Sequence, residues 1–486
     1  MDRKLSLKIV RERAEPWDVV IIGGGATGIG CALDAATRGL SVLLVERDDL
    51  GKHTSSRSTK LVHGGVRYLA QGDISLVREA LHERGLLLKN GPHTVHKLEF
   101  IVPCRNLWEK IFYGTGLKIY DILAGNLSFG RSRSLSKSET LNRLPGLDPA
   151  VVSGGISYWD GQFDDARLLI DIASTASENG ACILNYARVD ALSLNKEKIR
   201  NITISDMVGR ETLSVQALSV INAAGAFADP IRKMSDADAK PVIMAARGSH
   251  IILPLDLLSS GSALMIPKTP DGRVLFCIPW LGRLLVGTTD VPCSSPEQGE
   301  IPTNDEIDFL LDTAGQYLIK KPKRDDIISS FAGVRPLVRQ QETQTTAKLS
   351  RSHELFIDNG LITITGGKWT TYRRMAEDAV DAAVKYAGLR ATRCITQDLT
   401  IGPPAACDEI ERAIDQEMAQ TIEDVLLRRM RALLIDPDSA KGLATQAADR
   451  LAKKSGWSEK EKITAICEFE KVFRQYTGDQ SLSADN

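Results

Sequence analysis

Residues 17–46 read WDVVIIGGGATGIGCALDAATRGLSVLLVE, and this stretch decides the fold. The apolar run from Trp17 to Ile22 predicts a buried parallel strand, which carries apolar side chains on both faces. Small residues at helical spacing follow the glycines and predict a helix that ends at Gly39. Residues 40–46 form a second apolar strand and complete a right-handed βαβ unit. The stretch therefore predicts an α/β fold with a parallel sheet.

The glycines of this unit have the spacing G-x-G-x-x-G at the junction of strand and helix. Gly23 permits the tight turn, Gly25 lets a pyrophosphate approach the backbone, and Gly28 lets helix and strand pack closely. The amides at the start of the helix would then face the diphosphate. Glu46 ends the second strand, where it is placed to accept a hydrogen bond from a ribose hydroxyl. The motif predicts a dinucleotide site, with a plain glycine-rich turn as the alternative.

The residues after Glu46 favour FAD over NAD. Residues 54–65 read TSSRSTKLVHGG, a loop rich in hydroxyl groups that ends in two glycines. Hydroxyls and exposed amides suit a second contact with the diphosphate and the edge of a flavin. The alternative is a polar surface loop. The candidate cofactor contacts in this loop are Thr54, Ser55, Ser56, Lys60, His63, Gly64 and Gly65.

A third candidate segment lies near the other end of the chain. Residues 362–371 read ITITGGKWTT, which predicts a strand, a glycine pair and the start of a helix. A helix N-terminus there would stabilise negative charge on the pyrimidine ring of a flavin. The alternative is an ordinary capped helix. The candidate cofactor contacts are Gly366, Gly367, Lys368 and Thr370.

Composition excludes several classes of protein. The 486 residues include 61 Lys and Arg against 62 Asp and Glu, a balance that argues against a nucleic-acid partner. The 8 cysteines include no CxxC pair, so we expect neither a metal site nor an iron–sulfur cluster. The charged leader has no apolar core typical of a signal peptide, and no run is typical of a membrane span. Any membrane contact is therefore expected to be peripheral.

Together these segments resemble the flavin-dependent, quinone-linked glycerol-3-phosphate dehydrogenase family. The match begins at Trp17 and continues through the two segments above to the C-terminal part, where EMAQTIEDVLLRRMR (417–431) is similar to the family's helical domain. Further matching strings, in the family's order, are HGGVRYL (63–69), FDDARLLID (163–171), INAAG (221–225), GSHIILP (248–254), FAGVRPL (331–337) and TGGKWTTYRRMAEDA (365–379).

The resemblance implies a glutathione-reductase-like FAD-binding domain of the α/β class, interleaved with a mixed β-rich substrate domain. A small all-helical C-terminal domain follows. We assign residues 15–85, 150–230 and 350–388 to the FAD domain, 86–149 and 231–349 to the substrate domain, and 389–486 to the helical domain. The apolar stripe of the last domain predicts one helix over residues 417–434.

The resemblance also implies an activity, the oxidation of sn-glycerol 3-phosphate to dihydroxyacetone phosphate by non-covalently bound FAD, with electrons passed to quinone. The family's substrate-site positions are Arg67, His250, Arg335, Arg351 and Lys368. Arginine forks suit a phosphate dianion, and loss of the C2 hydroxyl proton requires a base, for which His250 is the first choice. Arg335 would either clamp the phosphate or polarise the reacting oxygen, and the sequence leaves both roles open.

Other functions compete with this one. Oxygen could replace quinone as the acceptor, which would make the protein a glycerol-3-phosphate oxidase. An amine or amino-acid oxidase of the same architecture is a second alternative, but it would need a carboxylate clamp rather than several cations. A flavoprotein that acts on tRNA or in assembly is a third, and it would call for a larger positive charge. The lack of a cysteine-rich C-terminal extension argues against the iron–sulfur-linked branch of the family.

The aromatic and basic residues between Leu98 and Arg143 are typical of an interfacial anchor, and the C-terminal tail helices are a second candidate for the membrane contact. A plain insertion is the alternative. An anchor would place the protein in the cytoplasm, peripherally on the inner face of the cell membrane. A homodimer is an open alternative to a monomer.

Overall fold

The computed structural model describes residues 1–69, 73–195, 198–339, 353–404 and 406–478. The strands of this part of the chain are β1 (Trp17–Ile22), β2 (Val42–Val45), β3 (Leu61–Val62), β4 (Val95–Cys104), β5 (Arg133–Ser136), β6 (Gly154–Phe163), β7 (Cys182–Leu184), β8 (Ala187–Asn195), β9 (Lys198–Asp206), β10 (Glu211–Asn222), β11 (Ile243–Pro254), β12 (Ala263–Ile266), β13 (Leu275–Trp280), β14 (Arg283–Gly287), β15 (Val291–Pro292), β16 (Ser329–Val338), β17 (His353–Asp358) and β18 (Leu361–Gly366). The helices are α1 (Arg3–Glu12), α2 (Ala26–Thr37), α3 (Val66–Leu69), α4 (Ile74–Asn90), α5 (Leu107–Ala124), α6 (Lys137–Arg143), α7 (Asp165–Glu178), α8 (Ala228–Ser235), α9 (Asn304–Gly315), α10 (Tyr372–Ala387), α11 (Glu409–Asp415), α12 (Ala432–Ile435), α13 (Pro437–Ser455) and α14 (Glu459–Thr477).

The first sheet has the strand order β17-β18-β10-β1-β2-β7. The five strands from β18 to β7 run parallel, and β17 joins the edge antiparallel. The unit β1–α2–β2 is the βαβ unit predicted from residues 17–46, and it is confirmed. Since β2 lies on one side of β1 and β10 on the other, the carboxyl ends of β1 and β10 flank a crevice where a ligand can bind.

Helices cover one face of this sheet, and a small antiparallel layer covers the other. Ile29 of α2, Leu168 of α7 and Met375 of α10 belong to the apolar cluster that packs on the first face. On the other face, Leu7 of α1 and Val189 of β8 pack against the same strands. The parallel strands are therefore buried on both sides, which explains their almost uniformly apolar sequences.

The second sheet is mixed. Its strand order is β15-β11-β14-β13-β12-β4-β6-β3, with β16 beside β11 and β5 beside β6. Only the contact between β12 and β4 is parallel among the described pairs of this sheet. The register places His250 of β11 opposite Gly287 of β14 and Phe331 of β16. Together with the helical C-terminal part, the two sheets confirm the predicted fold class.

The two sheets alternate along the chain more finely than the predicted domain segments do. The strand β6 pairs with β4 in the second sheet, although its residues fall in the segment 150–230 that we assigned to the FAD domain. The short strand β3 also pairs with β6, although it lies within residues 15–85. The division into three domains therefore stays a prediction.

The prediction of one helix over residues 417–434 is wrong. Residues Asp424–Arg429 form a π-helical turn, and the next helix, α12, begins only at Ala432. Between them, Arg431 has a left-handed backbone with φ 63°. The apolar stripe is nevertheless buried as the pattern predicts, because the broken helix still packs its apolar side against the core.

Buried arginines explain the break. Arg428 and Arg429 each place a guanidinium nitrogen 2.6 Å from Asp49, and Arg431 lies 2.8 Å from Asp164. In a regular helix successive side chains point about 100° apart, so these three could not all face the first sheet. The irregular backbone lets all three reach carboxylates in the cofactor-binding part of the chain.

Candidate active site

A cavity of about 560 Å³ lies at the carboxyl edge of the first sheet. It is bounded by the segments that follow β1, β2, β10 and β18, as the topology of a parallel sheet requires. The predicted residues that line it are Gly23, Gly25, Glu46, Thr54, Ser55, His63, His250, Arg335, Gly366, Gly367, Lys368 and Thr370. The fold thus brings together residues that lie more than 300 positions apart in the sequence.

The glycine turn at the end of β1 leaves no room for side chains. A Cβ atom on Gly23 would lie 2.6 Å from the carbonyl oxygen of Ala223, and one on Gly28 would lie 1.9 Å from the carbonyl oxygen of Gly23. Gly23 also has φ 114°, which L side chains rarely adopt. A Cβ on Gly25 would come within 3.0 Å of the Ser55 hydroxyl oxygen. This cradle fits a diphosphate that contacts bare backbone.

Glu46 stabilises the glycine turn and also lines the cavity. Its Oε2 accepts a hydrogen bond from the Gly24 amide at 2.6 Å, and its Oε1 accepts one from the Asp48 amide at 2.9 Å. Burial raises the pKa of this carboxyl group. Each carboxylate oxygen can accept a further hydrogen bond, so a ribose hydroxyl remains a suitable additional donor.

Two of the predicted segments are joined directly to each other. The indole N–H of Trp369 donates to the carbonyl oxygen of Ser55 at 2.9 Å, and the His63 amide donates to the hydroxyl of Thr370 at 3.2 Å. The Ser55 hydroxyl in turn accepts from the first amide of α2, that of Ala26, at 2.9 Å. The loop 54–65 is therefore clamped between the two helix starts that face the cavity.

Some predicted cofactor contacts do not line this cavity. Gly28 packs inside the glycine turn, Gly64 is buried with its amide donating to Tyr120 at 2.8 Å, and Gly65 lines a second cavity described below. Ser56 is buried, and its carbonyl oxygen accepts from Lys60 at 2.7 Å.

Lys60 likewise points into the protein. Its ammonium group lies 2.9 and 2.8 Å from the two carboxylate oxygens of Asp165, and both side chains are fully buried. Burial lowers the pKa of Lys60 to about 8, against the opposing effect of Asp165. Arg431 of the C-terminal part pairs with the same carboxylate. Lys60 therefore supports the loop from the protein interior, because a buried ammonium group is stable only when it is paired with a carboxylate.

His250 is held tightly at the junction of the two sheets. Its imidazole is 2% exposed and stacks on Phe331 with 4.8 Å between ring centroids and 12° between planes. Opposite the ring stands Gly287, where a Cβ would lie 2.2 Å from the His250 Cδ2. Nε2 lies 2.9 Å from the hydroxyl of Thr59.

The surroundings keep this histidine neutral. Burial, and then the positive charges of Arg335 and Lys60, lower the pKa of His250 well below 6.5. A neutral imidazole has one nitrogen with a lone pair that can accept a proton. His250 therefore has the protonation state that a general base requires.

A second cavity of about 150 Å³ adjoins the first. Thr59, Leu61, His63 and Arg335 line both cavities, so these residues mark the junction. The wall of the second cavity also includes Gly65, Phe100, Tyr158, Asp160, Met265, Arg273 and the residues 288–290. Its size suits a molecule of a few heavy atoms rather than a nucleotide.

Two guanidinium groups approach this second cavity. Arg335 donates from Nη1 to the carbonyl oxygen of Thr289 at 3.1 Å and from Nη2 to the hydroxyl of Thr288 at 3.0 Å. Arg273 donates from Nη1 to the carbonyl oxygen of Asp290 at 2.5 Å. A pair of fixed arginines on one small cavity can bind an anion through bidentate hydrogen bonds.

The sequence analysis missed four residues of this site. Thr59 lies within the quoted segment 54–65, and Arg273 lies outside the quoted segments. A single hydroxyl group or arginine gives no sequence pattern that marks it as part of a binding site. Asp165 and Arg431 stand in strings quoted for the resemblance but were given no role there, and both are buried. Of the predicted substrate residues, Arg67 belongs to α3 but its side chain is not described, and Arg351 lies outside the described residues.

Two absences concern only the part of the chain that the structure describes. Within these residues no group of three or more His, Cys, Asp and Glu side chains is arranged to hold a metal ion. No helix there combines the length and the apolar character needed to cross a membrane.

Comparison with protein families places the chain in a class. Residues 18–373 match the FAD dependent oxidoreductase family, and residues 376–462 match the C-terminal domain of alpha-glycerophosphate oxidase. The chain therefore belongs to the FAD-dependent oxidoreductases, and its cofactor is FAD. The glycine cradle and the two helix starts at the larger cavity fit this group.

Several relatives of this chain are named for the same substrate, glycerol 3-phosphate. The chain is 46% identical over 411 residues to the mitochondrial glycerol-3-phosphate dehydrogenase SDP6 of Arabidopsis thaliana, covering 82% of this chain and 65% of that protein. It is 42% identical over 405 residues to the human mitochondrial glycerol-3-phosphate dehydrogenase, covering 80% and 55%. The chain thus spans about 55–65% of the length of these relatives. The glycerol-3-phosphate dehydrogenase of Bacillus halodurans, solved with FAD, aligns over 99% of both chains with a TM-score of 0.81 and 25% identity.

Proposed function

We propose that this protein oxidises sn-glycerol 3-phosphate to dihydroxyacetone phosphate and passes the electrons to a quinone. The observation that carries the proposal is that neutral His250 and the guanidinium of Arg335 line the larger cavity together, while Arg335 also lines the smaller one. A base and an anion clamp at one point are what an alcohol with a phosphate group requires. The names of the relatives agree with this substrate.

The phosphate is assigned to the second cavity. Arg335 and Arg273 present two guanidinium groups there, each held in place by hydrogen bonds to residues 288–290. Arg335 Nη1 also donates to the Asp290 carboxylate at 3.2 Å, so a phosphate dianion would compete with this carboxylate for a guanidinium group that is already oriented. Of the two roles left open for Arg335, the structure favours the phosphate clamp, because its side chain lines the same small cavity as Arg273.

The alcohol carbon is assigned to the junction, against the FAD cavity. Bound FAD supplies the two-electron acceptor for the C2 hydrogen of the substrate. His250 accepts the hydroxyl proton, since its low pKa leaves a lone pair available. Lys368 and the start of α10 stand at the wall of the larger cavity and supply positive charge there. Arg67 and Arg351 are proposed as further phosphate contacts on the basis of the family resemblance alone.

The proposal that the electron acceptor is a quinone rests on the surface of helix α5. Several of its apolar residues are exposed, with Trp108 74% exposed, Phe112 55% and Ile122 77%, whereas Leu117 and Tyr120 on another side are buried. Trp108, Phe112, Thr115, Ile119 and Ile122 follow one another by three or four positions and so share one face of the helix. An exposed apolar face of this kind suits the interfacial region of a bilayer, in which quinones reside.

Exposed basic residues lie on helix α5 and in the segments that flank it in the sequence. Arg105 precedes α5, Lys118 lies on it, and Arg131, Arg133 and Lys137 follow, all of them exposed. Lysine and arginine near an anionic lipid surface each contribute about 1 kcal/mol to adsorption. We therefore propose peripheral binding at the inner face of the cell membrane, through α5 and its basic rim. The homodimer stays a prediction of the sequence.

The test of the acceptor compares two oxidants side by side. Purified enzyme with glycerol 3-phosphate should reduce a soluble quinone analogue much faster than it consumes oxygen, and addition of anionic liposomes should recruit it in a flotation assay. Hydrogen peroxide produced at the rate of quinone reduction, without liposome binding, would identify an oxidase. Bleaching by amino acids but not by glycerol 3-phosphate would instead favour the amino-acid oxidase alternative.

A further inference from the structure

The hydroxyl group of Thr59 contacts His250, the general base of the proposed reaction. Its oxygen lies 2.9 Å from His250 Nε2. Among the described residues, Thr59 contributes to the walls of both cavities, whereas His250 contributes to the larger one and not to the smaller. A substrate whose phosphate occupies the smaller cavity therefore meets the threonine hydroxyl before it meets the imidazole.

Contacts made by the two neighbouring residues, Ser58 and Lys60, hold the backbone of Thr59 in this position. The amide and the hydroxyl of Ser58 donate to Asp165 Oδ2 at 3.0 and 2.6 Å, and Lys60 binds the same carboxylate on the other side. Lys60 has a left-handed backbone with φ 60°, a strained conformation that such contacts can maintain. These anchors on both sides of Thr59 restrain the backbone from which its hydroxyl group reaches His250.

The imidazole is fixed as firmly as the hydroxyl. Phe331 stacks against one face of the His250 ring. The backbone of Gly287 packs so close to the ring that a Cβ there would lie 2.2 Å from His250 Cδ2. The ring cannot turn Nε2 toward the smaller cavity without breaking the contact with Thr59. The hydrogen-bonded path from the smaller cavity to Nε2 therefore runs through the hydroxyl group of Thr59.

We propose that Thr59 is a proton relay between the substrate and His250, which deepens the proposed function and rests on it. The substrate hydroxyl gives its proton to Thr59 Oγ1 while the Thr59 hydroxyl proton moves to His250 Nε2. The two electrons and the hydrogen of the substrate C2–H bond go to oxidised FAD, so a ketone forms and one proton remains on His250. Thr59 ends the step as it began, as a neutral hydroxyl.

The test uses two substitutions at this one position in the FAD-loaded enzyme. Thr59→Val removes the hydroxyl with little change in volume, and Thr59→Ser retains it. Anaerobic bleaching by glycerol 3-phosphate should slow roughly 100-fold in T59V, the lower end of the contribution of a positioned acid or base, and by less than about fivefold in T59S. Thr175→Val removes another buried hydroxyl, one that donates to Asp171 of the same helix at 2.8 Å, and should leave the rate unchanged.

Two further measurements separate the relay from a loss of structure. FAD content per chain and the dissociation constant of inorganic phosphate, followed by the visible spectrum, should be the same in wild type, T59V and T59S. A T59V rate within threefold of wild type would overturn the relay, as would equal slowing of T59V and T59S. Failure of glycerol 3-phosphate to bleach the wild type would instead refute the proposed function itself, so the two failures are distinct.

Discussion

Asp165 lies 2.8 Å from the ammonium group of Lys60, and the side chains of both residues are fully shielded from solvent. The same carboxylate pairs with Arg431, which belongs to the helical C-terminal part of the chain. Asp165 thus joins the loop behind the active site to Arg431, which lies 266 positions after Asp165 in the sequence. The C-terminal part is therefore a structural support of the site.

Removal of this carboxylate should destabilise the protein strongly. Asp165→Asn leaves the ammonium of Lys60 and the guanidinium of Arg431 buried beside a neutral amide. Loss of one partner in a buried ion pair costs about 3–5 kcal/mol. The free energy of unfolding from urea titration should fall by this amount, whereas Asp256→Asn, in an exposed pair with Lys320 at 3.9 Å, should change it by less than about 0.5 kcal/mol. Equal effects of the two substitutions would contradict the buried network.

The glycine cradle predicts which small substitution abolishes FAD binding. Gly28→Ala places a methyl group 1.9 Å from the carbonyl oxygen of Gly23, so the turn must open. Gly442→Ala is the matched control, because a Cβ there meets nothing within 4 Å in helix α13. After desalting, the ratio of flavin to protein absorbance should be near zero for G28A and unchanged for G442A. Full flavin content in G28A would show that the cradle is wrongly placed.

Two histidines, the buried His250 and the partly buried His53, predict opposite dependences of stability on pH. The pKa of His250 lies well below 6.5, because of burial and then the charges of Arg335 and Lys60. The unfolded chain binds this proton more readily, so the free energy of unfolding falls as the pH drops below about 6.5, by up to about 1.4 kcal/mol per pH unit. His250→Asn should flatten this acid limb in urea titrations of the apoprotein.

His53 shows the opposite sign. Burial lowers its pKa, but hydrogen bonds with Asp48 and Glu300 raise it by more, so the net pKa lies above 6.5. Its stabilisation is fully present below about pH 6.5 and is lost as the pH rises through the folded-state pKa. His53→Gln should therefore flatten the curve above pH 6.5 and leave the acid limb intact. The same flattening in both variants would refute the assigned directions.

The exposed face of α5 predicts how the protein meets a bilayer. Trp108→Ser and Phe112→Ser each remove an exposed aromatic ring, and each should weaken flotation with anionic liposomes by about tenfold or more. Ile463→Ser, which removes an apolar side chain 55% exposed on α14, is the control and should float like the wild type. Salt should loosen binding of the wild type, because the basic rim contributes electrostatic attraction. Unchanged flotation of the two aromatic variants would place the membrane contact elsewhere.

Local patterns in the sequence were sufficient for the βαβ unit at the centre of the first sheet and for its glycine turn. The strand that ends at Ile22, the glycine turn and the acidic Glu46 lie within thirty residues, so periodicity and spacing carry the information. His250 and Arg335 came from the family resemblance, and the structure then brought them to one wall.

The support behind the site could not be predicted in the same way. Thr59 meets His250 across 191 positions, and Arg431 meets Asp165 across 266. Charged residues are usually exposed, so no pattern marks an arginine that will be buried on a distant carboxylate. The helix predicted across residues 417–434 failed for the same reason, since tertiary ion pairs overrode a correct apolar stripe.

The most direct test of the central claim is anaerobic bleaching of the FAD absorbance by glycerol 3-phosphate, compared with glycerol, in wild type and in Arg335→Lys. The account predicts full bleaching of the wild type by glycerol 3-phosphate and almost none by glycerol at equal concentration. It also predicts an apparent affinity about 10–150-fold weaker in R335K, because a lysine lacks the planar fork that clamps phosphate. Equal bleaching by glycerol, or an R335K variant that binds glycerol 3-phosphate as tightly as the wild type, would contradict it.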